Sequence, residues 1–224
     1  MKNIKTRGFT LVEIIIVLVI LAIIAAAALP ALTGYIDKAK EMSAVSEART
    51  CYTAAQTALL EYYATNDLKG YLETKENQYR VAKTDKSGNP VLDKKGNVTY
   101  EYVKAGRVSN STFHTIQYNT DKRPENAGDT EIGTLILQYL DSPDKSKSSR
   151  YLFAASNNRL GKNTSMDTAD EFFKVNPKDS IALNIYYDKT GHVIMIHFAK
   201  PGYGKIIEMY PSGTYQTVET VSVK

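Results

Sequence analysis

Residues 9–29 read FTLVEIIIVLVILAIIAAAAL, and this stretch decides how the rest of the chain has to be built. It holds one hydroxyl, Thr10, and one charge, Glu13. From Ile14 to Leu29 no side chain is polar. At about 1.5 Å per residue, a helix of this length spans roughly 31 Å, the thickness of one bilayer core. Ahead of it, MKNIKTRG carries Lys2, Lys5 and Arg7 and no acid, whereas Asp37, Lys38, Lys40 and Glu41 behind it cancel. The positive-inside rule then places the N-terminus in the cytoplasm and the remainder across the membrane.

An ordinary secretory signal peptide fits this poorly. Ala26 and Ala28 form a small-residue cleavage pattern, but the apolar stretch is too long, contains an acid and runs into Pro30. A plain anchor explains the length and the flanks but leaves Glu13 without a reason. A carboxylate within a spanning helix is costly and marks function by default. A cut between Gly8 and Phe9 would supply its partner. The new α-amino group would lie four residues before Glu13. A neighbouring subunit's amine could then pair with that carboxylate inside an apolar bundle, fixing the register.

The series Gly8-Phe9-Thr10-Leu11-Val12-Glu13 follows a short basic leader and precedes the apolar run and Pro30. It resembles the class III signal sequence of type IV pilins and the related pseudopilins. The resemblance covers residues 1–30. It implies that a prepilin peptidase cuts after Gly8 and methylates the terminal Phe9, that Glu13 supports docking into a filament, and that Pro30 kinks the helix. It also implies the partners: a helical homo-oligomer, the peptidase, the inner-membrane pilus assembly machinery, and the membrane before assembly. The function implied is a structural subunit polymerising into a type IV pilus for adhesion, surface motility or biofilm formation. A pseudopilin of type II secretion and a competence pilin for DNA uptake would share this anchor. The subunit would be a single-pass membrane protein before assembly, with its head outside, and part of an extracellular pilus afterwards.

The residues beyond the anchor predict how it joins a head. Pro30 and Gly34 interrupt the run, and a kink or local melting is expected near residues 26–34. Val45, Ala48, Tyr52, Ala55, Leu59 and Tyr62 then recur at spacings of 3 and 4, one apolar stripe on a helix. Glu41, Glu47, Arg49, Gln56 and Glu61 are read on the opposite face. One helix from Phe9 to Ala64 is expected, too long for the core of a globule. Cys51 lies beside the stripe and reads as a small apolar residue.

Residues 181–219 alternate in the manner of strands. Ile181, Leu183, Ile185 and Tyr187 share one face of the first strand, and Ile194, Ile196 and Phe198 fall together on the next. Four strands with turns between them predict an antiparallel meander whose apolar face meets the helix stripe. The expected fold is α+β and type IV pilin-like: a long N-terminal helix packed on a C-terminal antiparallel sheet. The expected boundaries are a leader at 1–8, a stalk at 9–29 and a head at 30–224. Within the head, residues 30–65 form the amphipathic half of the helix, 66–180 a loop-rich region and 181–219 the meander. Strands are also expected at Gln78–Lys83, Val98–Lys104 and Phe113–Tyr118.

Asp85-Lys86-Ser87-Gly88-Asn89 and Asp93-Lys94-Lys95-Gly96-Asn97 echo each other eight residues apart, and Asp188-Lys189-Thr190-Gly191 repeats the pattern. Asp opening a turn with Gly three residues later predicts a type I turn with a left-handed Gly, not an EF-hand loop. Asp167, Asp170, Glu171 and Asp179 have no specific calcium spacing. Thr168 to Glu171 resembles a capping box opening a short helix. Asn97, Asn110 and Asn163 head formal glycosylation sequons, read as chance matches. Lys145, Lys147 and Arg150 read as a solvated loop.

His114, His192 and His197 form no catalytic pattern, and no nucleophile elbow, phosphate loop or zinc spacing is present. No enzymatic activity, cofactor or metal is expected. The chain has 28 basic and 24 acidic residues in 224, but the leader holds three of the basic ones. The remaining 25 against 24 argues against DNA as a partner. Many Gram-negative pilins close a C-terminal loop with a disulfide, and a chain whose only cysteine is Cys51 departs from that pattern.

Overall fold

The computed structural model describes residues 10–65, 78–108, 127–140, 151–153 and 181–219. The chain is α+β, a long N-terminal helix followed by antiparallel sheets. Helix α1 covers Leu11–Thr65 and contains both Pro30 and Gly34. Local melting at residues 26–34 is therefore not found. The Thr33 hydroxyl donates to the Pro30 carbonyl at 2.9 Å.

The chain divides into two compact units, Met1–Met42 and Ser43–Lys224. In the first, every residue from Leu11 to Leu29 is exposed. The second holds strands β1 (Gln78–Ala82), β2 (Tyr100–Lys104) and β3 (Gly106–Val108), helix α2 (Ala127–Leu140), and strand β4 (Tyr151–Phe153). Strands β5 (Ile181–Tyr187), β6 (Val193–Ala199), β7 (Ile206–Met209) and β8 (Tyr215–Val218) follow close to their expected positions. The expected strand at Phe113–Tyr118, the basic residues at 145–150, the capping box at Thr168, the four acids at 167–179, and Asn110, Asn163 and His114 lie outside the described residues.

The main sheet runs β3-β5-β6-β7-β8, with β4 also on β5. Two short strands share one edge of β5. Strand β3 pairs antiparallel with Ile185–Tyr187, and β4 pairs parallel with Ile181–Leu183. One face of the sheet carries Leu183, Ile185, Tyr187, Ile196, Phe198, Ile207 and Met209, all fully buried. Against it lie Ala44, Ala48, Cys51, Ala55, Ala58 and Leu59 of α1, with Tyr52 and Tyr62 at the margin. Small residues on this helix face let its backbone approach the bulky sheet side chains closely. Cys51 is fully buried in this core.

Three expectations are corrected. Ile194 does not share a face with Ile196 and Phe198. The register shifts between Tyr186 and Tyr187, so Tyr187 pairs with Val193. Val193 thus enters the helix-facing core and Ile194 packs on the other cluster, as a β-bulge dictates. Gln56 and Glu47 are also not solvent-facing. Gln56 donates to Gly191 O and accepts from Val193 N, both at 2.9 Å. Glu47 accepts from Lys200 Nζ at 3.0 Å and Tyr151 at 3.3 Å. Finally, the loop-rich reading of residues 66–180 overlooked α2, whose Ile132 and Ile136 are fully buried. A Cβ at Gly133 would come within 3.3 Å of Val108, so glycine permits the close approach.

The turn readings hold. Gly88, Gly96 and Gly191 have φ of 79°, 84° and 80°. In each loop the aspartate Oδ1 accepts two backbone N–H groups, from Ser87 and Asn89, Lys95 and Asn97, or Thr190 and His192. These bonds, led by those from Asn89 and Asn97, hold the Asp85 and Asp93 carboxyls below the usual range. The first two loops meet in a closed ring. Lys83 N donates to Thr99 O, Thr99 N to Val91 O, and Val91 N to Lys83 O. The eight-residue repeat places these three residues at equivalent positions, with one hairpin arm between Lys83 and Val91 and another between Val91 and Thr99.

Candidate functional site

The sequence singles out Gly8, Phe9, Glu13, Pro30 and Gly34. Gly8 and Phe9 lie outside the described residues. Around Glu13 the geometry is explicit. Its Oε2 accepts from both the backbone N and the hydroxyl of Thr10, each at 2.8 Å. In return, Glu13 N donates to Thr10 Oγ1 at 3.3 Å, and Ile14 N donates to Thr10 O at 3.3 Å. This is a capping box, with Thr10 at the N-cap and Glu13 at the third helical position. Two otherwise unpaired amides at the helix start gain partners, and the carboxylate lies against the positive end of the helix dipole.

Thr10 was the residue missed as a partner of Glu13. The signal was present, since Thr10-Leu11-Val12-Glu13 is a Thr-x-x-Glu pattern directly before an apolar run.

Beyond Glu13 the helix shows no polar face for about four turns. Leu11, Val12, Ile15, Leu18, Leu21, Ile23, Ile24 and Leu29 are each at least half exposed. An 18-residue window of α1 reaches a mean hydropathy of 3.1, with none of it buried. This helix is long and apolar enough to cross a membrane. Exposed apolar area on this scale needs a lipid or protein partner.

Residues 4–29 match the family model of the prokaryotic N-terminal methylation motif. The chain carries the class III signal peptide of type IV pilins. The match takes in Gly8, Phe9 and Glu13 and ends one residue before Pro30. The motif supports a type IV pilin-like or pseudopilin protein, processed by prepilin peptidase and assembled into a pilus-like filament. It marks structural proteins of the pilin type. No curated protein and no solved structure matches the chain.

The other singled-out residues fall elsewhere. His192 sits on the exposed β5–β6 turn, with Nδ1 2.8 Å from the Thr190 hydroxyl. His197 is buried on β6, with Nε2 2.9 Å from Glu208 Oε2. Among the described residues, no group of three or more His, Cys, Asp or Glu side chains could hold a metal ion. Asn97, the one sequon asparagine within the described residues, donates through its side chain to Asp93 at 3.3 Å.

Proposed function

We propose that this chain is a structural pilin subunit that polymerises into a type IV pilus used for adhesion, surface motility or biofilm formation. The observation that carries the reading is the juxtaposition of one carboxylate, Glu13, with an otherwise apolar and exposed helix that matches the methylation motif. Prepilin peptidase cuts between Gly8 and Phe9 and methylates Phe9. The helix anchors the subunit first, with the N-terminus cytoplasmic and the head outside. It then leaves the lipid for a filament core, where apolar stalks pack on each other and the inner-membrane assembly machinery drives the transfer. Held in place by its Oε2 bonds to Thr10, Glu13 pairs through its other oxygen with the terminal amine of a neighbouring Phe9. Pro30, which offers no backbone donor, and Gly34 let the helix bend between stalk and head.

The test has three parts. N-terminal sequencing of the mature protein is expected to start at methylated Phe9, and a start at Met1 or Leu29 removes the filament reading. Electron microscopy of sheared surface filaments is expected to show this chain in them. Glu13→Ala is expected to abolish the filaments while leaving membrane insertion intact. Filaments of normal yield from that variant would show that the charge pairing is unnecessary. Recovery of the chain only from short periplasm-spanning assemblies would place it with secretion pseudopilins. Salt-dependent binding of duplex DNA would place it with competence pilins.

A further inference from the structure

The face of the main sheet turned away from α1 is covered by residues 78–104, which contain β1, β2 and the two repeat hairpins. We propose that this segment is a strap that opens and closes over that face independently of the helix core, latched by the Tyr100 hydroxyl. The inference does not depend on the filament reading.

Backbone pairing does not weld the strap to the sheet. Among the described residues, strands β1 and β2 pair only with each other, as a separate two-stranded sheet. Their own hydrogen bonds, and the ring through Lys83, Val91 and Thr99, close within the segment. Among the described residues, one backbone bond crosses from the segment to the main sheet's β7–β8 turn, from Ser212 N to Gly88 O at 3.2 Å. The strap therefore holds its shape without the sheet, and side chains do most of the docking.

Those side chains form a cluster distinct from the helix core. Val81 and Ala82 of the strap pack with Tyr186, Met195 and Tyr210 of the sheet, flanked by Tyr79, Val98, Val103 and Ile194. The helix core lies on the opposite face and shares none of these residues. Local opening follows such divisions, because each contiguous cluster can be lost while the other stands.

The latch is polar. Asn184, His197, Glu208 and Gln216 face one another across β5, β6, β7 and β8. Glu208 Oε1 accepts from Tyr210 at 2.7 Å, Gln216 at 2.9 Å and Tyr100 at 3.0 Å, while Oε2 accepts from His197. Tyr100 is the strap's contribution, and its oxygen also accepts from Gln216 Nε2 at 2.8 Å. Arg80 stacks on the Tyr100 ring at 3.6 Å and holds it in place. A buried carboxylate demands its donors, so closing the strap over Glu208 is rewarded only in the register that delivers Tyr100. Opening exposes Met195 and Tyr186 but leaves the helix-facing side of the sheet closed.

Two methionines separate these events. Met195 lies under the strap and Met209 under the helix, both fully buried, while Met42 is 65% exposed. The full-length protein in detergent micelles is treated with dilute hydrogen peroxide, and sulfoxide at each methionine is followed by peptide mass spectrometry. In the wild type, Met42 is expected to oxidise quickly and the other two slowly. Tyr100→Phe keeps the ring but removes the hydroxyl bound to a charged group, and is expected to speed Met195 oxidation about tenfold or more. Met209 is expected to keep its wild-type rate. An unchanged Met195 rate would overturn the latch, and equal acceleration at Met195 and Met209 would overturn the independence of the strap.

Discussion

His197 and Glu208 stand side by side on adjacent strands, Nε2 to Oε2 at 2.9 Å, with side chains only 3% and 5% exposed. Burial by itself would raise the Glu208 pKa. The bonds from His197, Tyr210 and Gln216 outweigh it and hold the carboxyl down at about 2. A depressed folded-state pKa gives stability that is present above the ordinary glutamate pKa and lost as pH falls through the folded value. The head is therefore expected to lose a few kcal/mol of stability from this group between about pH 4.5 and about pH 2. Thermal unfolding of wild type and Glu208→Gln across that range checks this. The variant's melting temperature is expected to start lower and to fall less steeply with acid. Parallel curves would remove Glu208 as the source.

The capping box at Thr10 leads to a prediction about the anchor. Thr10→Val keeps the β-branched shape but removes the oxygen that donates to Glu13 Oε2 and accepts from Glu13 N. Loss of an N-cap costs about 1 kcal/mol, enough to fray the first turn and release Glu13 from its fixed position. Filament yield is expected to fall several-fold with membrane insertion unchanged, and Thr10→Ser is expected to restore it. If valine and serine behave alike, the hydroxyl has no part in placing Glu13.

Much of this architecture is legible in the sequence because it rests on local pattern. The stripe from Val45 to Tyr62 and the alternation from Ile181 to Tyr187 each state their own buried face, and both faces are in the core. Asp followed by Gly three residues later states its turn just as directly. What stays hidden depends on partners far along the chain. Glu208 interrupts an apolar strand and reads as solvent-facing until the strap covers it. Ile194 follows the alternation, but the bulge at Tyr186 and Tyr187 is set by strand pairing and not by its own neighbours. Gln56 reads as a surface residue on helical spacing, and only the approach of the β5–β6 turn turns it inward. At the anchor, Glu13 stands out because a charge in an apolar run is costly, whereas the polar Thr10 beside it costs little and draws less notice.

Gly106 is a position where no side chain fits. It pairs directly with Tyr187 across β3 and β5, and a Cβ there would overlap the Tyr187 ring. Tyr187 is fully buried among core residues and has little room to yield. Gly106→Ala is expected to cost about 1–3 kcal/mol, read as a lowered melting temperature of the head. Gly106→Ala combined with Tyr187→Leu is expected to recover part of the loss, because the smaller residue removes the overlap. A single variant as stable as the wild type would show that β3 can shift away from β5.

Gln56 joins α1 to the sheet by imitating a strand neighbour. Its amide nitrogen donates to Gly191 O and its amide oxygen accepts from Val193 N, each at 2.9 Å. The bulge leaves these backbone groups at the end of the β5–β6 pairing, where the Gln56 amide supplies their partners. Tyr52, one helical turn earlier, donates to Val193 O at 3.1 Å, so two helix side chains grip the same short stretch. Burial also pushes the Tyr52 hydroxyl up to about 12, which keeps it a proton donor at any ordinary pH. Gln56→Ala leaves two half-buried backbone groups without this partner and is expected to cost about 1–3 kcal/mol. Gln56→Glu separates the two bonds. A carboxylate still accepts from Val193 N but repels Gly191 O, so the loss is expected to be as large as for alanine at pH 7 and smaller near pH 4, where the acid can donate. Chemical denaturation of the two variants at both pH values reads this out. A glutamate variant indifferent to pH would show that the bond to Gly191 contributes nothing.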